Sequence, residues 1–215
     1  MSVGVVSQFQ PNQGRAQEFL KIVGDAKSVN ERLGATVLVR RTVFGGELAG
    51  VITVGSLFES DESHAEYIEQ LQKEQDHPLL IMSQSASPPA TLLSRSMVVE
   101  ITPKPSGGIP SLKPLSTVSL LRRSGNFDEV QAGIAKSQEL HESLGATVTV
   151  WRTTFGGSNA GTIAYLMGHD GFTERAQFAT KLAEANRSQP GPLGQLIRSG
   201  AVTPVSSSLS VQIDV

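Results

Sequence analysis

The spacing of apolar residues changes period several times along the chain, and each change marks an element. Val3–Phe9 is a short apolar run that suits a strand. From Gln13 to Leu33, apolar residues recur every three or four positions at Ala16, Phe19, Leu20, Val23, Ala26 and Val29. That is the stripe of an amphipathic helix, and Gly34 follows where a helix ends. Thr36–Phe44 is β-branched and strand-like, Gly45-Gly46 marks a turn, and Gly50–Phe58 is a second strand, so the two predict a hairpin. Ser60 or Asp61 caps a second helix that presents Ala65, Ile68 and Leu71 on one side and ends at His77-Pro78. An irregular Ser/Pro-rich stretch leads to a last strand, Ser96–Ile101. The predicted order is βαββαβ.

The same order then recurs. LGATVLVRRTVFGGELAG at 33–50 matches LGATVTVWRTTFGGSNAG at 144–161 at an offset of 111, with 13 of 18 positions identical. The match runs back to Gly14 and Gly125 and forward through Asp61–Asp76 and Phe172–Arg187. It closes on Ser96–Ile101 and Ser208–Ile213, where the offset is 112. So long a period is a duplicated domain rather than a solenoid repeat. Between the copies, Pro103 to Pro114 holds four prolines and two glycines in twelve residues, which cannot continue a helix or a central strand. The expected division is a first unit at 1–102, an extended Pro/Gly-rich linker at 103–115 and a second unit at 116–215.

A βαββαβ unit is the ferredoxin-like arrangement of the α+β class: four antiparallel strands with both helices on one face. Its other face must be buried by something, and a second copy is the simplest cover. The expectation is two sheets packed face to face in one chain, an intramolecular α/β barrel with four helices outside.

Paired βαββαβ units carrying the segment LGATVxVxRTxFGGxxAG resemble the dimeric α/β-barrel superfamily. That group includes antibiotic-biosynthesis-type monooxygenases, EthD-like and NIPSNAP-like proteins, stress-responsive A/B barrels, and tandem haem proteins such as chlorite dismutases and aldoxime dehydratases. The resemblance implies a pocket on the open sheet face. It brings no catalytic motif, because this fold hosts many chemistries.

Composition narrows the choices. A net charge of −2 gives no basic field for nucleic acid, and Arg122-Arg123 is too short a cluster to argue for it. Without cysteine there is no disulfide, thiolate metal site or cysteine nucleophile. No apolar run approaches the roughly 18 residues that span a bilayer, and Met1–Val6 does not read as a signal peptide. A cytoplasmic protein is expected, with association into homo-oligomers left open.

Strand alternation sorts the candidate residues. Thr147, Thr149, Trp151 and Thr153 share one face of their strand, and Thr36, Leu38, Arg40 and Thr42 share the matching face in the first copy. Trp151, Arg40, Thr149 and Thr153 are the expected binding residues for an apolar or aromatic organic molecule inside the barrel. Arg41 and Arg152 fall on the helix side, where a carboxylate partner is expected. The FGG turns join two strands and lack a phosphate-loop pattern.

The four histidines, His64, His77, His141 and His169, have no metal-ligand spacing, so no metal is expected. His64 and His141 read as solvated helix residues. His169 ends a strand beside Asp170 with Tyr165 four residues earlier, which makes His169 and Tyr165 the candidate proton-transfer pair at a cavity mouth. Three readings follow. One is a cofactor-independent enzyme of oxygenase, isomerase or cyclase type acting on a small organic molecule. Another is a non-catalytic binding or assembly module, and the third is a tandem haem barrel with His169 as the axial ligand.

Overall fold

The computed structural model describes residues 1–104 and 113–215. The expected extended course of the linker over residues 105–112 lies outside the described residues.

The first unit runs β1 (Val3–Pro11), α1 (Ala16–Arg32), β2 (Thr36–Phe44), β3 (Ile52–Phe58), α2 (Asp61–Leu71), α3 (Pro78–Gln84) and β4 (Ala90–Glu100). The second repeats it: β5 (Leu115–Arg123), α4 (Phe127–Ser143), β6 (Thr147–Phe155), β7 (Thr162–His169), α5 (Phe172–Ala185), α6 (Pro192–Arg198) and β8 (Val202–Gln212). Two differences from the sequence reading stand out. Pro78 does not end the second helix; α2 stops at Leu71, and Pro78 opens the short helix α3, where a missing N–H costs nothing. With its counterpart α6, this makes six helices among the described residues rather than four. The last strand of each unit also starts well before the apolar run that signalled it, at Ala90 and Val202.

Within each unit the strands lie in the ferredoxin-like order, β4-β1-β3-β2 and β8-β5-β7-β6. The two sheets join edge to edge, β2 to β8 and β4 to β6, into one closed antiparallel barrel. Closure leaves no strand edge open to pair with another chain.

Two apolar layers coat the outside of the barrel and one fills its lumen. On α1, Phe19 and Val23 pack against Val37, Val39, Ile52, Val54 and Phe58 of the sheet. In the second unit, Val130 and Ile134 of α4 meet Val148, Val150, Ile163 and Tyr165. Each fully buried side chain of this size stabilises the fold by about 1.5–3 kcal/mol. Inside the barrel, Leu57, Val98 and Trp151 form the third cluster.

The repeated FGG segments have a structural cause. A Cβ on Gly45 would sit 2.9 Å from Ser208 Cβ, and one on Gly156 would sit 2.6 Å from Ser96 Oγ, so each glycine lets its hairpin close onto the last strand of the other unit. The second glycines, Gly46 and Gly157, adopt φ of +60° and +57°, the left-handed region that favours glycine.

Candidate functional site

A cavity of about 570 Å³ lies in the first unit, between the outer face of its sheet and helices α1–α3. Its apolar wall includes Val5, Phe9, Val54, Leu71, Leu79, Met82 and Ala90. The exposed side chains Leu80 and Leu92 line it as well. Two of its polar groups, Tyr67 and His77, converge on Asn30, and Ser7, Ser56, Glu74, Ser83 and Thr91 also line it. The stripe Phe19, Val23, Ala26 continues to position 30, so the helix period carries an amide into the core.

Asn30 Oδ1 accepts the Tyr67 hydroxyl at 2.9 Å and pairs with His77 Nε2 at 3.0 Å. Burial, reinforced by Arg95, holds the His77 pKa below its usual value, while burial raises that of Tyr67. Both rings are therefore neutral at pH 7. His77 carries its proton on the nitrogen facing Asn30, which leaves Nδ1 as its basic nitrogen. The Asn30 amide Nδ2 has no hydrogen-bond partner among the described residues. Arg95, exposed and without an ion pair among the described residues, also lines the cavity.

The lumen holds a smaller cavity, about 180 Å³, lined by Leu38, Arg40, Thr42, Leu57, Val98, Trp151, Thr153 and Leu166 among others. Strand alternation thus places Arg40, Trp151 and Thr153 where the sequence reading did. Thr149 is buried but lies outside this lining. Arg40 is already committed: Nε donates to Ser210 Oγ, Nη1 to the Lys113 carbonyl, and Nη2 to the carbonyls of Pro114 and Ser210. Burial lowers its pKa to about 10, so it stays cationic at neutral pH. Its guanidinium pins the start of β5 to the β2–β8 seam.

Tyr165 and His169 do not stand at a cavity mouth. Odd positions of β7 turn outward to the helices, so Tyr165 is wholly buried in the second unit's core and His169 lies against Phe178 at 5.0 Å between ring centres. Neither His169 ring nitrogen has a partner among the described residues. Nor is His141 solvated; it is buried, with Nδ1 2.8 Å from the Tyr165 hydroxyl. The expected carboxylate partners of Arg41 and Arg152 are also missing among the described residues. Arg41 is exposed, and Arg152 lies over the Phe127 ring at 5.6 Å.

The cavity residues Asn30, Tyr67 and His77 escaped the sequence reading. A polar residue at the fourth position of an otherwise apolar helix stripe was the available signal; in α4 the equivalent position is His141, in a buried stripe that also holds Ser137 and Gln138.

The architecture is that of a dimeric α/β barrel. No protein-family model matches the sequence, and no curated protein matches it. Solved structures do. An anthrone oxidase-like protein superposes with a TM-score of 0.61 at 13% identity, covering 99% of this chain and 92% of the other. A mutant chlorite dismutase from Candidatus Nitrospira defluvii gives 0.59 at 11% identity, covering 99% and 91%. A candidate monooxygenase from Fusobacterium nucleatum gives 0.58 at 8% identity, covering 99% and 93%. At such identities the likeness establishes the fold, a barrel shared with enzymes.

These neighbours correct one expectation. Chlorite dismutases and a dyp-type peroxidase, haem-binding proteins, share this barrel, so the fold gives no ground for expecting the chain to work without a cofactor. The histidines here do not fit an axial haem ligand in the lumen, however. A histidine ligand must aim a free ring nitrogen at the iron. Among the described residues no histidine lines the lumen. His77 and His141 are hydrogen-bonded to Asn30 and Tyr165, and His64 and His169 pack against Phe58 and Phe178, all on the helix-covered side of the sheets. Among the described residues no helix is long and apolar enough to cross a membrane.

Proposed function

We propose that this protein binds a small, largely apolar organic molecule in the cavity of its first unit and handles a proton on it. The supporting observation is the convergence of Tyr67 and His77 on Asn30 in the wall of the first unit's cavity, whose remaining lining is mostly apolar. Such a pocket buries an apolar body and orients it through a few polar atoms. With Oδ1 occupied twice, Asn30 offers Nδ2 as a donor to an oxygen on the ligand. His77, neutral and basic at Nδ1, supplies proton transfer near neutral pH. This reading moves the ligand from the lumen to the helix-covered face.

Binding of the solvatochromic dye Nile red tests it. The wild-type chain is expected to bind one equivalent with a blue-shifted emission. The variant carrying Val54→Tyr and Ser56→Met, residues that already pack at the equivalent positions of the second unit, fills the floor and is expected to lose that binding. Equal binding by both chains would remove the site.

A further inference from the structure

The duplication provides an internal comparison for the cavity. At an offset of 111, Asn30 corresponds to His141, Val54 to Tyr165 and Ser56 to Met167. In the first unit the cavity reaches the sheet and is floored by residues of β1, β3 and β4. In the second unit the equivalent depression, about 480 Å³, is walled by the helices and their connections, and among the described residues Met167 is the only strand residue in its lining. The floor there is closed by the protein itself. Tyr165 stands where Val54 leaves space, wholly buried, with its hydroxyl 2.8 Å from the residue equivalent to Asn30.

We propose that the first unit's cavity is specific for a hydroxylated aromatic compound, with its ring over Val54 and its phenolic oxygen on Asn30 Nδ2. The inference rests on the binding reading above and adds the ligand class. Tyr165 is a phenol tethered in the equivalent space, so the scaffold has already shown the shape and polarity that this space accepts. The cavity extends past a single ring toward Leu79, Leu80 and Leu92, so the compound reaches further than the tyrosine side chain does.

The probe is p-cresol, the tyrosine side chain itself, compared with toluene, which lacks the hydroxyl, and 4-methylcyclohexanol, which lacks the aromatic ring. Calorimetric titration of the wild-type chain is expected to give p-cresol at least about tenfold tighter than either, the worth of one well-placed hydrogen bond or of ring packing. Asn30→Asp keeps the acceptor for Tyr67 and His77 but removes the Nδ2 donor, and is expected to erase the preference over toluene. Equal affinities for p-cresol and toluene, or no cresol binding where Nile red still binds, would overturn the ligand class and leave the cavity reading standing. Cresol binding that survives Val54→Tyr with Ser56→Met would overturn both.

A second arm uses the other unit. Tyr165→Val opens the latent cavity, and p-cresol is expected to raise the Tm of that variant more than toluene does. An equal rise with both would count against a phenol-shaped space. The wild-type titration decides the matter if this variant does not fold.

Discussion

Acid should weaken this fold through one buried histidine, and the amount can be worked out. His141 lies in the core of the second unit, hydrogen-bonded to Tyr165 and edge-on to Phe178 at 5.7 Å between ring centres. Burial lowers its pKa from the ordinary 6.5 to about 4. Above pH 6.5 the imidazole is neutral in both the folded and unfolded chain, so it adds no pH dependence. Between 6.5 and about 4 the unfolded chain takes up a proton that the folded chain refuses, and stability falls with pH across that window. At about 1.4 kcal/mol per pH unit, the loss reaches about 3 kcal/mol by pH 4. Burial also lowers the pKa values of His64, His77 and His169, so they act in the same direction. His141→Asn, which installs the first unit's residue, isolates the one term. Urea unfolding followed by circular dichroism at pH 7 and pH 4 should show the wild type losing about 3 kcal/mol more than the variant. Equal losses in the two proteins would refute the assignment of a neutral, buried His141.

Two further predictions concern positions where the copies differ. His169 buries two ring nitrogens without a partner among the described residues, at the place where the first unit has Phe58. His169→Phe should therefore stabilise the chain by about 1–3 kcal/mol in thermal or urea melts, and a loss of stability would mean that the imidazole is satisfied. Arg40→Ala removes four hydrogen bonds, to three carbonyls and one hydroxyl, at the β2–β8 seam; of these acceptors the Pro114 carbonyl keeps the Gln212 N–H. It should cost about 3 kcal/mol, and Arg40→Lys should recover less than half, because an ammonium cannot reproduce the guanidinium fork; full recovery by lysine would argue against that fork.

The fold was legible because it rests on periodicity and duplication. The helix stripes, the β-branched hairpins and the repeat at 111 residues demand a βαββαβ unit with an uncovered face, and the paired unit covers it. What stayed hidden follows from weak local signals. Helix α3 is seven residues long, too short to show a period, and its leading Pro78 reads equally as a stop or a start. The early halves of β4 and β8 mix apolar residues with Ser, Thr and Pro and show no clean alternation, so only their later halves stood out.

The site was half legible, for a reason that lies in the two sheet faces. Alternation assigned Arg40, Trp151 and Thr153 to the lumen correctly, but the lumen is the better-filled side. The choice between the faces turns on volume, which periodicity does not measure. Among the differences between the copies, Arg40/Trp151 and Phe58/His169 are the chemically conspicuous ones. Arg40 proved to be tied to backbone carbonyls, and His169 to be packed under Phe178. The pairs that open the larger cavity are Val54/Tyr165 and Ser56/Met167, conspicuous only for size. In a duplicated domain, a large side chain in one copy opposite a small one in the other marks where one half has kept a space that the other has filled. Where the large residue is a tyrosine bonded to a polar helix residue, it also indicates what the space is shaped to receive.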